Sequence, residues 1–586
     1  MGKLKRRSIV LMVIVVSALS GCVLPEQPSA SQYDFASRYF DWQQTLTTSQ
    51  LSAEDPVTAQ TPVPAETDSF ILTDSPSDNR LKLFLHPGVS EQFLSNLNLD
   101  GRRFDLVKDK QAADVRILLD RLGVEDVGRN PVLWVYVLVA PFYTLTDGIS
   151  SDDLVALWEG NIQDGFPISR ILVTQETFTV METLFGTPDG SMVKVVTAEE
   201  LAKQALTDQP FLSFLPFEEL DAHWKVLRID GLSPIDDHFS PETYPLSAVI
   251  WAESALTDFG VTLPESNYDR DMRTVLIMTG VTALTRATAY RMEIYGNTYP
   301  GKDIHAWLSA ADLVHISNEV SFAQNCPNPD PFQPDLIFCS SPERVELLEY
   351  ISADIIELSG NHLLDYGIPA MNLTLEMYEQ RDWAFFAGGW DLADARSSAL
   401  VTHNGNRLAF LGCNPVGPPI AWATESKPGS APCGDYQWML DEIQALRAEG
   451  YLPIITLQYF EDYTAYPSPK MQADFLKLAD AGAVVVSGSQ AHTPKNMVFS
   501  DRAFIHYGLG NLFFDQMEVF YNDRLMPGTR EAFIDRLVFY DGQLVSVELL
   551  TTMLEDYARP RPMTPIERQA LLSRIFPIAI DYYKQR

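Results

Sequence analysis

Polar residues and glycines stand directly after six short apolar runs in the second half of this 586-residue sequence. The six polar segments are 279–281, 317–319, 359–362, 458–461, 487–492 and 508–511. They include Glu319, Asn361, His362 and His492, whose residue types are ligands for hard or borderline cations. Glycine lets the backbone come close to a ligand. Because ligands of open α/β sheets bind outside the carboxyl ends of the strands, the pattern predicts a polar pocket.

The apolar runs that precede these segments are typical of buried strands. They cover residues 275–278, 313–316, 355–358, 408–411, 454–457, 483–486 and 504–507. Helical stretches stand between them at 341–351, 372–380, 438–449 and 470–481. Continuous β-branched runs that alternate with helices are typical of an α/β sheet. We therefore expect residues 272–550 to form an α/β domain whose strand ends carry the pocket.

Residues 79–260 show a separate alternation of strand and helix signals, which predicts a smaller α/β domain. Strands are expected at 81–85, 114–118 and 132–140, and a helix at 152–158. The segments 138–142, 145–150, 214–220 and 224–227 resemble periplasmic solute-binding proteins of the phosphate type. This resemblance implies ligand binding. A purely structural role is the alternative, because a phosphate loop rich in Ser, Thr and Gly is not obvious.

Several segments of the second region resemble, in order, the CapA family of capsule-synthesis proteins. They are 278–280, 311–319, 360–367, 386–389, 472–483, 488–492 and 507–515. The resemblance implies a link to poly-γ-glutamate capsule assembly and a likeness to calcineurin-type metallophosphoesterases. It also implies a four-layer α/β/β/α sandwich with a divalent metal site where the strand ends meet.

The same resemblance implies roles for individual side chains. The candidate metal ligands are Glu319, Asn361, His492 and Gln458. The candidate catalytic residues are His362, as an acid or oxyanion stabiliser, and Glu319. The candidate substrate-binding residues are Glu461, Gln490 and Asn511.

The sequence departs from the family pattern where metal ligands are expected. Val281 stands in place of an aspartate, and Gln458 stands in place of a histidine. Ser489 and Gln490 occupy the positions of two further histidines. A two-metal site needs carboxylate or imidazole ligands on both ions. We therefore expect one divalent ion at most, of unknown identity.

A one-metal or metal-free site would use Glu319, Glu461 or Asp365 as acid or base. Two site residues also have structural alternatives. Asn361 could cap a helix that begins near Leu363, because Asn is a favoured N-cap residue. Glu461 could be a solvated loop charge. His315 and His506, which lie within apolar runs, are expected to be structural.

The first 22 residues have the pattern of a lipoprotein signal peptide. Four basic residues precede the apolar run 9–16, which is too short to span a bilayer, and Leu-Ser-Gly-Cys follows at 19–22. This ending resembles the bacterial lipobox, which implies lipid on Cys22 and anchoring at the outer face of the cytoplasmic membrane. An ordinary cleaved signal peptide is the alternative.

Residues 23–78 are rich in Ser, Thr, Pro, Gln and acids, which predicts a disordered tether.

The four remaining cysteines favour disulfides over a metal cluster, because an exported chain enters an oxidising compartment. Four cysteines allow three pairings. We favour Cys326–Cys339 and Cys413–Cys433, since each bond would close a Pro-rich loop. Free buried cysteines are the alternative.

Residues 551–586, at the C-terminal end of the sequence, are expected to form a Pro-rich strap and a helix that covers the sheet. A capping box from Thr564 to Glu567 indicates where that helix begins.

The formal net charge of −35 repels phosphate backbones and argues against nucleic-acid binding. The expected partners are an anionic polymer or phosphate-containing small molecule, the membrane through the lipid anchor, and a membrane-bound capsule synthesis complex. Two functions stay open. One is a CapA-like hydrolase or transferase in exopolymer biosynthesis. The other is a non-catalytic polymer- or ligand-binding lipoprotein or scaffold of the cell envelope.

Overall fold

The structure is a computed structural model that describes most of the chain after residue 79. The described residues are 80–99, 104–124, 128–161, 168, 170–188, 192–207, 209–501, 503–517, 519–521, 524–526 and 528–585. The expected signal peptide, Cys22 and tether therefore lie outside the described residues. All described residues belong to one unit, Asp68–Arg586. None of the helices described is both long enough and apolar enough to cross a bilayer.

The first region, residues 80–268, is built on a mixed seven-stranded sheet. Its strands are β1 (Leu81–Leu85), β2 (Phe104–Leu106), β3 (Val115–Arg121), β4 (Arg129–Pro141), β5 (Gly148–Ile149), β6 (Ile171–Val173), β7 (Val193–Val195), β8 (Ser213–Pro216), β9 (Trp224–Val226), β10 (Arg228–Ile229) and β11 (Ser247–Ser254). Its helices are α1 (Glu91–Ser95), α2 (Ser151–Trp158), α3 (Gln175–Phe185) and α4 (Ala198–Ala202). The sheet order is β2-β1-β3-β11-β4-β8, with β9 paired to β4.

The second region, residues 273–585, contains two larger sheets. Its strands are β12 (Arg273–Thr282), β13 (Leu313–Asn318), β14 (Ile355–Glu357), β15 (Ala384–Phe386), β16 (Gly388–Gly389), β17 (Ala399–His403), β18 (Asn406–Cys413), β19 (Gly429–Ser430), β20 (Leu452–Leu457), β21 (Val485–Ser487), β22 (Met497–Phe499), β23 (Phe504–His506), β24 (Asn511–Phe513), β25 (Val519–Tyr521), β26 (Arg524–Met526), β27 (Glu531–Tyr540), β28 (Gln543–Glu555) and β29 (Arg559–Pro562). Its helices are α5 (Arg286–Tyr295), α6 (His305–Leu308), α7 (Val345–Tyr350), α8 (Gly367–Glu379), α9 (Leu392–Ala395), α10 (Gln437–Ala448), α11 (Pro469–Asp480) and α12 (Pro565–Gln585).

The eight-stranded sheet has the order β15-β14-β13-β12-β27-β28-β29, with β24 paired to β12. Strands β12 to β15 pair in parallel, and β27 to β29 extend the sheet in antiparallel fashion. The six-stranded sheet has the order β17-β18-β20-β21-β23-β22, and its central strands are parallel. Each apolar run predicted as a strand lies in one of these two sheets, so the expected α/β class is confirmed.

The two sheets pack face to face between outer layers of helices. Leu276 and Met278 of β12 share an apolar cluster with Phe410 and Ile454 of the six-stranded sheet, and helices α10 and α11 join that cluster. Ile277, one residue between them, points to the opposite face and packs with residues of α5, α7 and α8. Alternate residues of a strand point to opposite faces, so β12 is buried on both sides. The expected four-layer α/β/β/α order is confirmed.

Local capping sets where the flanking helices begin. Ser468 accepts a hydrogen bond from Met471 N at the start of α11, where Pro469 is the first helical residue. Thr564 and Glu567 form the expected capping box of α12, with Glu567 N donating to Thr564 Oγ1 at 3.3 Å and Thr564 N donating to Glu567 Oε2 at 2.8 Å. Helix α8 begins at Gly367, so Asn361 does not act as a helix cap.

The two regions share apolar and charged contacts. Val275, Val538 and Val545 of the second region belong to the hydrophobic cluster of the first. Arg228 of the first region donates to Glu548 of β28 at 2.6 Å. Because these groups are buried or half-buried, the two α/β regions pack together as parts of one unit.

Candidate functional site

The candidate site is assembled from loops at the carboxyl ends of strands in both large sheets. Glu319 follows β13, and Asn361 and His362 follow β14. Glu461 follows β20, and His492 follows β21 in the six-stranded sheet. The electrostatic partners of Glu319 are His492, His362, Glu461 and Arg286. The structure therefore brings the candidate residues of the two sheets to one place.

Gly360 lets the loop after β14 lie against the backbone of Glu319. A Cβ atom on Gly360 would lie 2.7 Å from the Cα atom of Glu319, which is too short for any other residue. Val320 and His362 form a parallel bridge immediately beside this contact. The segments after β13 and β14 are thus pressed together, and Glu319 lies beside the loop that carries His362.

Glu319 is a buried carboxylate with one oxygen that has no hydrogen-bond partner. Only 1% of the residue is exposed to solvent, and its Oε2 atom has no hydrogen-bond partner. Burial raises the pKa of Glu319, and the charges of His492 and His362 only partly oppose this effect. Burying an unpaired carboxylate is costly, so its retention is typical of a group that meets a ligand.

His492 is held at both ring nitrogens. Its Nδ1 atom lies 2.7 Å from Asn511 Oδ1, and its Nε2 atom lies 3.2 Å from Glu461 Oε1. Burial lowers the pKa of His492, but the Glu461 charge and hydrogen bond, together with Glu319 and Asn511, raise it to about 9. The imidazole therefore carries a positive charge at neutral pH.

Glu461 contacts His492 and Tyr463, although its side chain keeps 28% of its surface exposed. Tyr463 Oη donates to Glu461 Oε2 at 3.2 Å, and Gln516 Nε2 donates to Tyr463 Oη at 3.3 Å. Burial raises the pKa of Glu461, but the charge and hydrogen bond of His492 outweigh burial and lower the pKa below its usual value. Glu461 is therefore ionised, and it balances the charge of His492.

His362 is oriented by a carboxylate on its own loop. Its Nδ1 atom lies 2.7 Å from Asp365 Oδ2, and that oxygen also accepts from Phe338 N at 2.8 Å. Burial lowers the pKa of His362, but the hydrogen bond to Asp365 and the charges of Glu319 and Asp365 raise it overall. Since Nδ1 is engaged, Nε2 is the nitrogen left to exchange a proton with a ligand.

Arg286 is a site residue that the sequence analysis missed. Its guanidinium forms an ion pair with Asp515 and lies over the rings of Phe338, at 4.7 Å, and Phe514, at 5.1 Å. It also contributes to the electrostatic environment of Glu319. Arg286 stands four residues beyond the end of β12, outside the short polar segment that drew attention to that strand. The only sequence signal for it is a lone cation, between Thr285 and Ala287.

The candidate metal ligands offer mainly oxygen atoms. Glu319 Oε2, Asn361 Oδ1 and Gln458 Oε1 are buried and have no hydrogen-bond partner. Oxygen donors of this kind suit a hard divalent cation. No group of three or more His, Cys, Asp or Glu side chains that could hold a metal ion is found in the described part of the chain. By donor type alone, these three oxygens are candidates for holding one oxygen-bound ion.

The substrate-binding candidates fall in different places. Asn511 contacts His492, as described above, and Glu461 lies on its other side. Gln490 points between the sheets instead, where its Nε2 atom donates to Ser317 Oγ at 2.6 Å and its Oε1 atom has no partner. His506 pairs with Asp535 at 2.7 Å in the same buried layer. Gln490 thus links the sheets beneath the site.

Both disulfides expected from the sequence are formed in the structure. Cys326 and Cys339 are bonded across a sequence separation of 13 residues, and Cys413 and Cys433 across 20 residues. The first bond closes a loop that ends beside Phe338, whose ring centroid lies 4.5 Å from that of His362. This disulfide therefore fixes one wall of the candidate site.

Comparison with known proteins agrees with the resemblance seen in the sequence. Residues 274–516 match the family described as "Bacterial capsule synthesis protein PGA_cap". The "Capsule biosynthesis protein CapA" of Bacillus anthracis is 23% identical over 277 residues, which cover 46% of this chain and 67% of that protein. The "PGA biosynthesis protein CapA" of Bacillus subtilis is 24% identical over 210 residues, which cover 35% of this chain and 54% of that protein.

Among solved structures, the NAD nucleotidase of Haemophilus influenzae is similar at 9% identity and a TM-score of 0.27, over 54% of this chain and 56% of that chain. A similarity this low does not establish a shared fold, so the fold is assigned from the strand order and layers described above. The likeness of the first region to solute-binding proteins stays a prediction beyond its α/β class.

Proposed function

Because residues 274–516 form a region of the CapA family, we propose that this protein takes part in making a capsule or exopolymer of the poly-γ-glutamate type. The observation that carries the proposal is Glu319, a buried carboxylate oxygen without a partner at the junction of the two sheets. Such a group is suited to receive a ligand, and the matched region contains the strand-end residues around it.

An anionic polymer needs local positive charge to approach a chain with a net charge of −35. Arg286, His362 and His492 each pair with a carboxylate, so the site's own groups supply donors to the polymer but no net positive charge. One divalent ion, held by the unpartnered oxygens of Glu319, Asn361 and Gln458, would supply that charge. His492 would join as a ligand only where Glu461 releases its Nε2 atom. When bound, such an ion supplies a Lewis acid for a carbonyl or phosphoryl oxygen.

The chain's own groups would handle protons in a hydrolase or transferase reaction. His362, oriented by Asp365, would give or take a proton at Nε2. Glu319, with its raised pKa, would act as the second acid or base. Arg286 and the His492 imidazolium would stabilise negative charge that develops on the ligand. The substrate would be the polymer or a phosphate-containing small molecule.

The proposal also covers location. We place the protein at the outer face of the cytoplasmic membrane, held by lipid on Cys22, with residues 23–78 as a tether to a membrane-bound synthesis complex. The leader pattern of the sequence supports this location, and mass determination of Cys22 in the membrane fraction tests it.

A non-catalytic polymer-binding scaffold is the second candidate. It is favoured by Val281, Gln458 and Ser489, which stand where the family supplies ligands of a metal centre. The two candidates differ in turnover and not in binding.

Purified protein from residue 23 onward should bind poly-γ-glutamate more tightly in calorimetry with added Mn²⁺ than without it, and Glu319→Ala and His492→Ala should weaken the binding measured with Mn²⁺. Chain-length analysis of the polymer then separates the candidates, because only an enzyme changes it. Elemental analysis should give at most one metal ion per chain. Undiminished binding in both variants would reject the proposed site.

A further inference from the structure

Glu357 is a buried carboxylate that lies directly beneath the candidate site. It is the last residue of β14, and none of its surface is exposed to solvent. Ser359 Oγ donates to its Oε1 atom, and Ser489 Oγ donates to its Oε2 atom. The two carboxylate oxygens thus bind hydroxyl groups from two different loops.

These two loops are the ones that carry site residues. Ser359 precedes Asn361 and His362 in the loop after β14 of the eight-stranded sheet. Ser489 precedes His492 in the loop after β21 of the six-stranded sheet. One side chain therefore joins the loop of His362 to the loop of His492 across the boundary between the sheets.

A third group explains how the charge of Glu357 is tolerated. The Nε2 atom of His315, on the adjacent strand β13, lies 3.3 Å from Glu357 Oε2, and both side chains are wholly buried. Burial alone would disfavour the ionised carboxylate, so the two hydroxyls and the nearby imidazole are needed to keep it charged. A buried group that needs this much support is poorly explained as packing.

The need for such a link follows from how the sheets are held together. Backbone hydrogen bonds fix strands within each sheet, whereas the two sheets meet mainly through apolar side chains, whose attraction has no direction. Hydrogen bonds do have direction and a narrow range of length. A charged acceptor with one donor from each sheet can therefore set the relative position of the two loops.

We propose that Glu357 is a positioning residue that fixes the loop carrying His362 relative to the loop carrying His492. The inference deepens the proposed function, on which it rests only in taking these residues as one site. Glu357 touches no ligand. It acts through Ser359 and Ser489 on the residues that do.

The test uses the chain from residue 23 onward, labelled with ¹⁵N-histidine, in three forms: parent, Glu357→Leu and Asp535→Asn. Asp535 is the matched control, because it is another buried carboxylate that joins the two sheets, through His506 at 2.7 Å, without contacting Ser359 or Ser489. Spectra of His362→Gln and His492→Gln assign the two site imidazoles.

Both carboxylate variants should lower the melting temperature, but only Glu357→Leu should shift the imidazole resonances of both His362 and His492. Unchanged resonances in Glu357→Leu, or equal shifts in Asp535→Asn, would overturn the proposal. If Glu357→Leu does not fold, Ser489→Ala removes a single hydroxyl and should still shift His362, which lies on the other sheet. An unshifted His362 in that variant would also overturn it.

Calorimetry with poly-γ-glutamate keeps this inference separate from the proposed function. Where the parent binds polymer, Glu357→Leu should weaken binding about tenfold, as loss of a supporting group commonly does. Absence of binding in the parent would count against the proposed function, while the resonance shifts would still decide the role of Glu357.

Discussion

His492 and Glu461 form an imidazolium–carboxylate pair in which the imidazole is buried and the carboxylate is partly exposed, with Nε2 and Oε1 3.2 Å apart. The protonation of the ring follows from its other contact. Asn511 Nδ2 donates to the backbone carbonyl of Thr529 at 2.9 Å, so Asn511 Oδ1 faces His492 and accepts its Nδ1 proton. The proton on Nε2 then points towards Glu461. Both ring protons are therefore engaged, and the contribution of the pair to the free energy of unfolding should change when the ring loses a proton.

Stability should depend on pH through this pair. The pKa of His492 in the folded chain, about 9, exceeds the usual 6.5. Its contribution is therefore complete below pH 6.5 and is lost as the pH rises through about 9. The contribution of Glu461, whose pKa is lowered, is complete above the usual pKa of a glutamate and is lost as the pH falls through the lowered value. Denaturant unfolding from pH 6 to 10 should show a steeper loss of stability in the parent than in His492→Gln. Parallel curves would contradict the pairing.

Glu319→Gln should separate stability from binding. Because the Glu319 carboxylate is buried without a hydrogen bond at Oε2, removing its charge should leave the free energy of unfolding unchanged or raise it by about 1 kcal/mol. Ligand or metal binding should fall. Thermal unfolding and calorimetry on the same sample measure both effects.

Glu548→Gln is the matched control for that prediction. Glu548 is also buried, but it accepts hydrogen bonds from Arg228 and Arg536. Losing its charge removes the nearest carboxylate of Arg536 and one of the two that pair with Arg228, which keeps Asp236, so the free energy of unfolding should fall by about 2 kcal/mol. Equal losses of stability in the Glu319 and Glu548 variants would show that Glu319 is stabilised in a way that the contacts do not reveal.

Arg286 should not be replaceable by lysine. Its planar guanidinium pairs with Asp515 and lies over Phe338 and Phe514, which an ammonium group cannot reproduce fully. We expect Arg286→Lys to weaken polymer binding while keeping the charge, and Arg286→Ala to weaken it further. Titration calorimetry at two salt concentrations distinguishes lost charge from lost geometry. Full binding by the lysine variant would reduce Arg286 to a source of charge.

Removing the disulfide at the site wall should lower stability by about 3 kcal/mol, because the bond closes a loop with a separation of 13 residues. The measurement is denaturant unfolding of a Cys326→Ser, Cys339→Ser variant. Its His362 imidazole resonance should also shift, because Phe338 contacts that ring. The control is Cys413→Ser with Cys433→Ser, which removes the other disulfide. It should lower the free energy of unfolding without shifting the His362 resonance. A stable variant with an unmoved His362 would show that the loop holds its place without the bond.

Much of the fold follows from local sequence. The run predicted at 81–85 is strand β1, and the stretch 438–449 is helix α10 within one residue at each end. Buried parallel strands are apolar on both faces, so their sequence signal is continuous and strong. The sequence pattern does not predict strands β27 and β28, although they form the longest pairing among the described strands. Their antiparallel hairpin carries polar residues such as Asp535 and Glu548, which interrupt the apolar pattern.

The placement of the candidate site residues was predictable in part. Strand ends indicated Glu319, His362 and His492, because the topological rule depends only on where apolar runs stop. Arg286 and Glu357 were missed for opposite reasons. Arg286 lies beyond the polar segment, in the first residue of a helix, and Glu357 lies inside the run taken as a strand. Contacts between two separate sheets are not encoded in the spacing of residues along the chain.

Val275, Val538 and Val545 of the second region pack in the hydrophobic cluster of the first, so the two regions cannot be separated without exposing them. A fragment that begins at β12 would present those valines, and Glu548 without Arg228, to water. Limited proteolysis between the regions should therefore leave the pieces associated, and expression of either half alone should yield aggregate.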